Sequence, residues 1–510
     1  MTRPRVVVVT GGGAGIGAAL AEAIGRTGAH VVTVDPLLSI DGTERLPAPE
    51  ETTAGRIVAA GGSAQAEPIS VTDGPAIHAL FRSLVAERGG LDAVVNVAGI
   101  TRPTGFAKGT EDEWRSVLQV HLDGYRNVLD AALPLMAAAG SGRIVGVTSG
   151  SGWRAADAGA YSCAKRAVAA LTWQLGRVAP PGVTVNAMSP IAVTRMVTAA
   201  LERAAAARGG STATGGLALG SMPQPEEIGP FGAYLAGDSP RWCQSRVLFA
   251  GGAEVALVEE PRLLELLRID EVLSPAAVLD AVVPSWGAVE AAQASAGGSN
   301  PRFPSAFDDA STPPAGGGRC LVVGDVAVVM AALDARGITI ASGDLDDDVD
   351  SVIVVLPAAA PTTGDGWEGV LAQHDGIVEA IHADAMWARR AADAGRPLRL
   401  VTITDANGAG GRSRAQAAAQ LARSSRSATK DAVSAFAIAM GPGGRAAAGE
   451  LAAHLVAHPD APALAGAELA AGDGWVGLRS HPRPAGSIVY GGPELPVWFD
   501  GALRAAVGGA

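Results

Sequence analysis

Two doubly wound parallel-sheet α/β domains in tandem, the second truncated and degenerate, are the fold class this sequence predicts. Three observations predict it. At 510 residues, 48% of them hydrophobic, the chain exceeds what one core normally holds. Short Val-rich runs, each followed by a turn and a helical pattern, recur through the first half, as strands buried on both faces of a parallel sheet do. Three short motifs of the first half then return in the second. Residues 1–290 are read as the first domain, 291–318 as a linker rich in Gly, Ser and Pro, and 319–510 as the second domain.

The first half opens on an apolar strand over 5–10, closed by Thr10. Gly11, Gly12, Gly13, Gly15 and Gly17 follow, around Ile16, and a helix over 18–26 comes next. Glycines there let the backbone turn tightly and approach a pyrophosphate, which rests on the helix N-terminus. A second strand over 28–35 ends in Asp35, about 20 residues past the loop, where a ribose-binding carboxylate belongs. A carboxylate accepts from the ribose hydroxyls and repels a 2′-phosphate, so Asp35 favours NAD over NADP. Strands over 64–71, 91–99, 143–149, 183–188 and 246–250 complete the set, with long helices over 111–139 and 160–177; Thr72-Asp73 opens another helix as its N-cap. Ligands of such sheets bind beyond the carboxyl ends of the strands. The glycine loop, Asp35, Asn96, Ser149 and the stretch 189–194 all fall at such ends.

Chemistry concentrates between Ser149 and Lys165. Ser149 ends an apolar strand, and Tyr161 and Lys165 stand four apart on the helix that follows. At that spacing two side chains share a face, about 5–6 Å apart at Cβ. Free tyrosine titrates near 10, too high for proton transfer at neutral pH, and a neighbouring ammonium lowers it. Tyr161 and Lys165 therefore read as a tuned acid/base pair, with Ser149 placed to hold the reacting oxygen.

Composition excludes other classes. The net charge of −12 argues against nucleic acid as a partner and does not favour an anionic membrane. Three widely spaced cysteines without a CxxC fit a reducing compartment. The N-terminal apolar run is too short for a signal peptide, and no stretch nears the roughly 18 apolar residues of a membrane span. A soluble, cytoplasmic protein is expected.

Taken together, Thr10-Gly11-xxx-Gly15-Ile-Gly17, Asn96-Val-Ala-Gly99, Ser149, Tyr161-xxx-Lys165 and Asn186-Ala-Met-Ser-Pro190 resemble the short-chain dehydrogenase/reductase family, whose fold is Rossmann-like. The resemblance covers about the first half. It implies that Tyr161 is the general acid/base, that Lys165 lowers its pKa and holds the nicotinamide ribose, and that Ser149 binds the substrate oxygen. It further implies cofactor contacts from Thr10, Gly11, Gly13, Gly15, Ile16, Gly17, Asp35, Ser70, Val71, Asn96, Ala98, Gly99, Tyr161, Lys165, Pro190, Ile191 and Thr194. The sequence departs from the family at His121, where an Asn often completes a proton relay, and at Val97, Ser70 and Ile191. His121 has two readings: a neutral imidazole passing a proton through water, or a packed core residue. Local similarity around His121–Gly124, 189–196 and 255–261 resembles the 3-hydroxyacyl-CoA dehydrogenase domains of peroxisomal-type multifunctional enzymes.

In the second half, Trp114-xx-Val-Leu-xx-His121 returns as Trp367-xx-Val-Leu-xx-His374, the strand before Ser149 as one ending in Asp405, and Ala187–Pro190 as Ala439–Pro442. The first strand there, over 319–324, lacks a glycine loop after it. The shorter spacing before Trp367 implies a lost helix–strand–helix segment. One register puts Ser413 and Ala417 where Tyr161 and Lys165 stand; another puts Arg426 and Lys430 there. Both lack the tyrosine, so no hydride chemistry is expected from this half. Packing of 111–139 and 160–177 on 367–394 and 414–425 would make a pseudo-dimer in cis, or a pseudo-tetramer if two chains associate. An independent tethered domain is the alternative. His454 and His458 lack a third ligand and read as surface histidines; no metal is expected.

The whole reads as an NAD-dependent dehydrogenase or ketoreductase interconverting a secondary alcohol and a ketone, of the 3-hydroxyacyl-CoA type. A ketoreductase tailoring a polyketide-like or polycyclic metabolite is the first alternative. A cofactor-bound sensor or scaffold is the second. The segment 196–222 is expected to shape the substrate pocket.

Overall fold

A computed structural model describes residues 3–47, 49–153, 158–199, 223–270, 274–293, 318–356, 366–490 and 494–508. Seven strands of the first half run parallel in the order β3-β2-β1-β4-β5-β6-β7: β1 (Val6–Thr10), β2 (His30–Val34), β3 (Ser63–Glu67), β4 (Ala93–Asn96), β5 (Gly142–Val147), β6 (Val183–Pro190) and β7 (Val247–Gly251). β8 (Glu254–Glu259) folds back antiparallel on β7. Between the strands lie α1 (Gly15–Gly25), α2 (Thr53–Ala59), α3 (Gly74–Arg88), α4 (Glu111–Leu118), α5 (Gly124–Ala139), α6 (Gly159–Arg177) and α7 (Gly229–Leu235). The Val-rich strands are buried on both faces because helices cover both.

Two elements differ from the sequence reading. β3 stops at Glu67, because the chain then turns at Ser70, whose carbonyl accepts from the Asp73 amide at 3.0 Å. The helix expected over 111–139 is interrupted by a π-helical turn, Gln119–Asp123, that carries His121. Such turns insert one residue and re-aim the side chains on them.

The second sheet repeats the order of the first without its outermost strand. β10 (Gly318–Gly324), β11 (Ile338–Ala341), β12 (Ser351–Leu356), β13 (Leu398–Asp405), β14 (Val433–Met440) and β15 (Glu468–Gly472) run parallel as β11-β10-β12-β13-β14-β15, and β16 (Trp475–Arg479) adds antiparallel. The missing strand is the one whose loss the spacing before Trp367 implies.

The sequence did not disclose how the halves are joined. β9 (Leu263–Arg268) leaves the first half and pairs antiparallel with β16. β17 (Arg483–Val489) returns from the second half and pairs antiparallel with β8. Each sheet thus takes a strand of the other half onto its antiparallel end, with β3 and β11 at the opposite edges. Helices follow the exchange. α8 (Pro275–Val282), α9 (Trp286–Gln293) and the turn between them place Leu279, Val283, Trp286 and Val289 in the core beneath the second sheet. At the chain's far end, Phe499, Leu503 and Val507 of the helix Phe499–Gly508 enter the core beneath the first. The boundary expected at residue 290 therefore does not separate the sheets, since 263–270 and 274–293 lie with the second and 483–490 and 494–508 with the first. Most of the expected linker, 294–317, lies outside the described residues.

Between the sheets the two halves share one apolar core. It runs from Val8 and Val94 of the first sheet through Trp114, Val128 and Leu171 to Ile381, Leu421 and Leu400. The second half supplies α10 (Met330–Asp334), α11 (Trp367–Ala372), α12 (Ile377–Asp393), α13 (Ala409–Arg423), α14 (Ser425–Thr429) and α15 (Arg445–Ala457). Of these, α12 packs on α4 and α13 on α6. α15 faces the other way, and it corrects one expectation. His454 and His458 are buried, not surface residues, because the helix lies between β-sheet and α8. His454 Nδ1 is 2.6 Å from Asp280 Oδ1, and the two imidazoles stack 4.9 Å apart. Among the described residues no group of three or more His, Cys, Asp or Glu could hold a metal ion, and no helix is long and apolar enough to cross a membrane.

Candidate active site

A cleft of about 650 Å³ opens at the carboxyl ends of β1, β2, β4, β5 and β6. Its floor is the glycine loop. A side chain at Gly17 would overlap the Gly11 carbonyl oxygen, and one at Gly13 would come 2.7 Å from Asp35 Oδ2. The N-cap of α1, Ala14, offers no side chain to the helix, so the first-turn amides stay available to an anion. Asp35 holds the loop from the side: Oδ2 accepts from the Gly13 amide at 2.9 Å and Oδ1 from the Leu37 amide at 2.8 Å. A Gly cradle too tight for any side chain, an uncapped helix N-terminus and a carboxylate beside them fit a dinucleotide.

Gly11, Gly13, Gly15, Ile16, Gly17, Asp35, Ser70, Val71, Ala98, Gly99, Pro190, Ile191 and Thr194 all line this cleft. Thr10 and Asn96 do not line it. They sit behind the loop, where Thr10 Oγ1 donates to Asn96 Oδ1 at 2.8 Å and accepts from the Ala98 amide at 3.3 Å. Their effect on a cofactor is exerted through the loop they brace. Ser70 Oγ is engaged with Thr72 Oγ1 at 2.8 Å. The sequence reading missed the segment after β2. Leu38, Ile40, Leu46 and Pro47 also line the cleft, held by the Thr101 amide on the Ile40 carbonyl at 2.9 Å and Arg102 Nε on the Asp41 carbonyl at 2.9 Å. Its alternation of Pro, Leu and small polar residues carries no periodic signal.

At the inner end stand Ser149, Tyr161, Lys165 and His121, which the fold brings together from β5, α6 and the π turn. Ser149 acts to lower the pKa of the Tyr161 phenol, but burial has the larger effect and the net shift is upward. The expected lowering of Tyr161 by Lys165 is not seen. Lys165 Nζ donates to the Val147 carbonyl at 2.7 Å and lies 5.6 Å from the centre of the Tyr161 ring. Burial also brings Lys165 itself down to about 7, which weakens the ammonium as a source of positive field.

Both readings of His121 meet in one geometry. The residue is buried, with its ring edge-on to Tyr161 at 5.2 Å and Nε2 2.9 Å from the Ile100 carbonyl. That contact makes Nε2 the protonated nitrogen and leaves Nδ1 as an acceptor without a partner among the described residues. Burial, helped by Lys165, drives its pKa to about 3, so the ring is neutral at any ordinary pH. A side chain at Gly99 would overlap this ring, which ties that glycine to the imidazole.

In the second half, His374 Nε2 is 2.8 Å from Ser413 Oγ, as His121 lies on Tyr161. The contact favours the register that sets Ser413 opposite Tyr161. Arg426 and Lys430 lie beyond the end of α13, Lys430 in a left-handed turn. Most of the segment expected to shape the substrate pocket, 200–222, lies outside the described residues.

A glycine cradle at the first βα turn and a Ser–Tyr–Lys set on β5 and α6 define an oxidoreductase of the nicotinamide-dependent class. Residues 5–205 match the short chain dehydrogenase family. Short-chain reductase protein NovJ of Streptomyces niveus is 34% identical over 251 residues, 47% of this chain and 92% of that protein. Cis-4-hydroxycyclohexanecarboxylate dehydrogenase of Sinomonas cyclohexanicum is 33% identical over 256 residues, 50% of this chain and 97% of that one. The peroxisomal hydratase-dehydrogenase-epimerase of Saccharomyces cerevisiae is 35% identical over 196 residues, 38% of this chain and 22% of the larger protein. The chain belongs to the short-chain dehydrogenase/reductase family, whose members use NAD(P).

Proposed function

We propose that this chain is an NAD-dependent dehydrogenase or ketoreductase that interconverts a secondary alcohol and a ketone at one site, in its first half. The observation that carries the reading is the meeting of Ser149, Tyr161 and Lys165 at the inner end of the cleft whose outer end is the glycine loop. A bound nicotinamide supplies or accepts the hydride. Ser149 orients the substrate oxygen. Tyr161 gives that oxygen its proton when a ketone is reduced, and takes it back when an alcohol is oxidised. Lys165 holds the nicotinamide ribose and, on the resemblance, eases deprotonation of the phenol. His121 stays neutral, and its Nδ1 can accept a hydrogen bond beside Tyr161.

NAD is preferred because the Asp35 carboxylate lies against Gly13, where a 2′-phosphate would meet it. A 3-hydroxyacyl-CoA-type alcohol and its ketone are the proposed substrate class, supported by the motif resemblance at His121–Gly124, 189–196 and 255–261 and by similarity to an acetoacetyl-CoA reductase. One observation favours a second reading. A relative covered nearly end to end is named for a cyclic secondary alcohol, cis-4-hydroxycyclohexanecarboxylate. The second half, with Asp405 in place of the catalytic serine and no tyrosine at the helix position matching Tyr161, is read as a non-catalytic partner that completes a pseudo-dimer in cis. An NADH-oxidation assay with acetoacetyl-CoA set against substituted cyclohexanones tests the assignment. Preference for the thioester supports the first reading, preference for the ring ketone the second, and turnover of neither class refutes both.

A further inference from the structure

The second half reaches the proposed catalytic set through a chain of buried polar contacts. Arg166, the residue after Lys165, points away from the cleft and is fully buried. Its guanidinium binds the Glu468 carboxylate of β15 and donates from Nε to Gln416 Oε1 at 2.9 Å and from Nη1 to Gln420 Oε1 at 3.2 Å. Gln416 closes the group by donating to Glu468 at 2.6 Å.

The Gln420 carboxamide faces two ways. Its oxygen is taken by Arg166, so its NH2 is set toward the first half, where it donates to the Ser151 carbonyl at 3.0 Å. Ser151 in turn donates from Oγ to Ser149 Oγ at 3.0 Å, and Ser149 stands beside Tyr161 in the lining of the cleft. The turn Gly150–Gly152 lies directly on α6, where a side chain at Gly152 would stand 3.0 Å from the Arg166 amide. The loop bearing Ser149 is therefore pinned on one side by α6 and on the other by Gln420.

We infer that Gln420 is a positioning residue for the site of the first half: it fixes the Ser149–Ser151 turn, and so the hydroxyl that orients the reacting oxygen. This assigns the second half a part in turnover, and it rests on the function proposed above. The Arg166–Glu468 pair holds the carboxamide in the one orientation that serves the turn.

Gln420→Met removes the donor at nearly unchanged volume. Ser151→Ala cuts the same chain one link nearer the site and leaves Arg166, Glu468 and Gln420 as they are. Each variant should lose roughly 10- to 100-fold in kcat, as small misplacements of reacting groups do, with KM for NADH unchanged. Because Ser149 lowers the Tyr161 pKa, the ascending limb of the pH profile for alcohol oxidation should also move to higher pH in both. Two variants guard against failure of one to fold. Wild-type kcat with an unmoved pH profile in either folded variant overturns the inference. Failure of the underlying reading looks different, because Tyr161→Phe would then turn over normally. If Tyr161→Phe is inactive while Gln420→Met and Ser151→Ala are wild type, only the positioning role is lost.

Discussion

Replacing Glu468 by glutamine tests how the two halves are bound together. The side chains of Arg166 and Glu468 are 0% and 3% exposed, and each comes from a different half. Burial pushes the Arg166 guanidinium below its ordinary pKa even with the carboxylate beside it, so desolvation outweighs the attraction. Glu468→Gln removes the one carboxylate in direct contact with that cation, leaving Gln416, Gln420 and the His481 imidazole, 3.3 Å away, as its partners, with the Glu290 carboxylate acting on it from farther off. Breaking such a pair from one side costs about 3–5 kcal/mol, against total stabilities of about 5–15 kcal/mol. Replacing both partners, as Arg166→Met with Glu468→Met, removes the desolvation along with the attraction and should cost much less. Urea unfolding followed by tryptophan fluorescence reads the effect. Since β9 and β17 are exchanged between the sheets, both halves should lose structure in one transition at a lower midpoint. A loss under about 1 kcal/mol, the range of exposed pairs, would refute the weight given to this cluster. So would a first sheet that stays folded after the second has gone.

Three other outcomes follow from particular atoms. Gly17→Ala puts a methyl into the Gly11 carbonyl and should abolish NADH binding in a fluorescence titration while the protein stays folded. Asp35→Ala removes the charge facing a 2′-phosphate and should raise the NADP:NAD ratio of kcat/KM by tenfold or more, on the order of one close charge contact; an unchanged ratio counts against the role of Asp35. Acid should destabilise the fold through its buried imidazoles. Burial lowers His121 to about 3 and His374 to about 4, against an ordinary value near 6.5. Both therefore contribute stability that is present above 6.5 and lost as pH falls toward those values. Between pH 7 and 5 each loses about 2 kcal/mol by linkage, so His374→Gln should flatten the pH dependence of the unfolding free energy by about that much.

Most of the first site was legible because its residues lie at strand ends and on one helix face, where local sequence dictates geometry. The glycine loop, Asp35, Ser149, Tyr161 and Lys165 converge as their spacing required. Thr10 and Asn96 show the limit of that reading: a polar residue at a strand end can face the ligand or brace the loop, and only the Thr10–Asn96 hydrogen bond decides it. The π turn at His121 was hidden inside a continuous helical pattern. The strand exchange left a weaker trace still. Leu263–Arg268 carries enough leucine to read as a strand, but β17 contains Pro484 and Gly486, and edge pairing across more than two hundred residues leaves no local pattern. Arg166 and Gln420 are polar residues on helices, and their burial follows only from the packing of α6 on α13.

The central claim is that this chain carries one hydride-transfer site, worked by Tyr161. Turnover by Tyr161→Phe, in protein shown by titration to bind one NADH per chain, tests it most directly. A fall in kcat of roughly 10²–10⁴ with NADH affinity retained is expected. Turnover at the wild-type rate would contradict it.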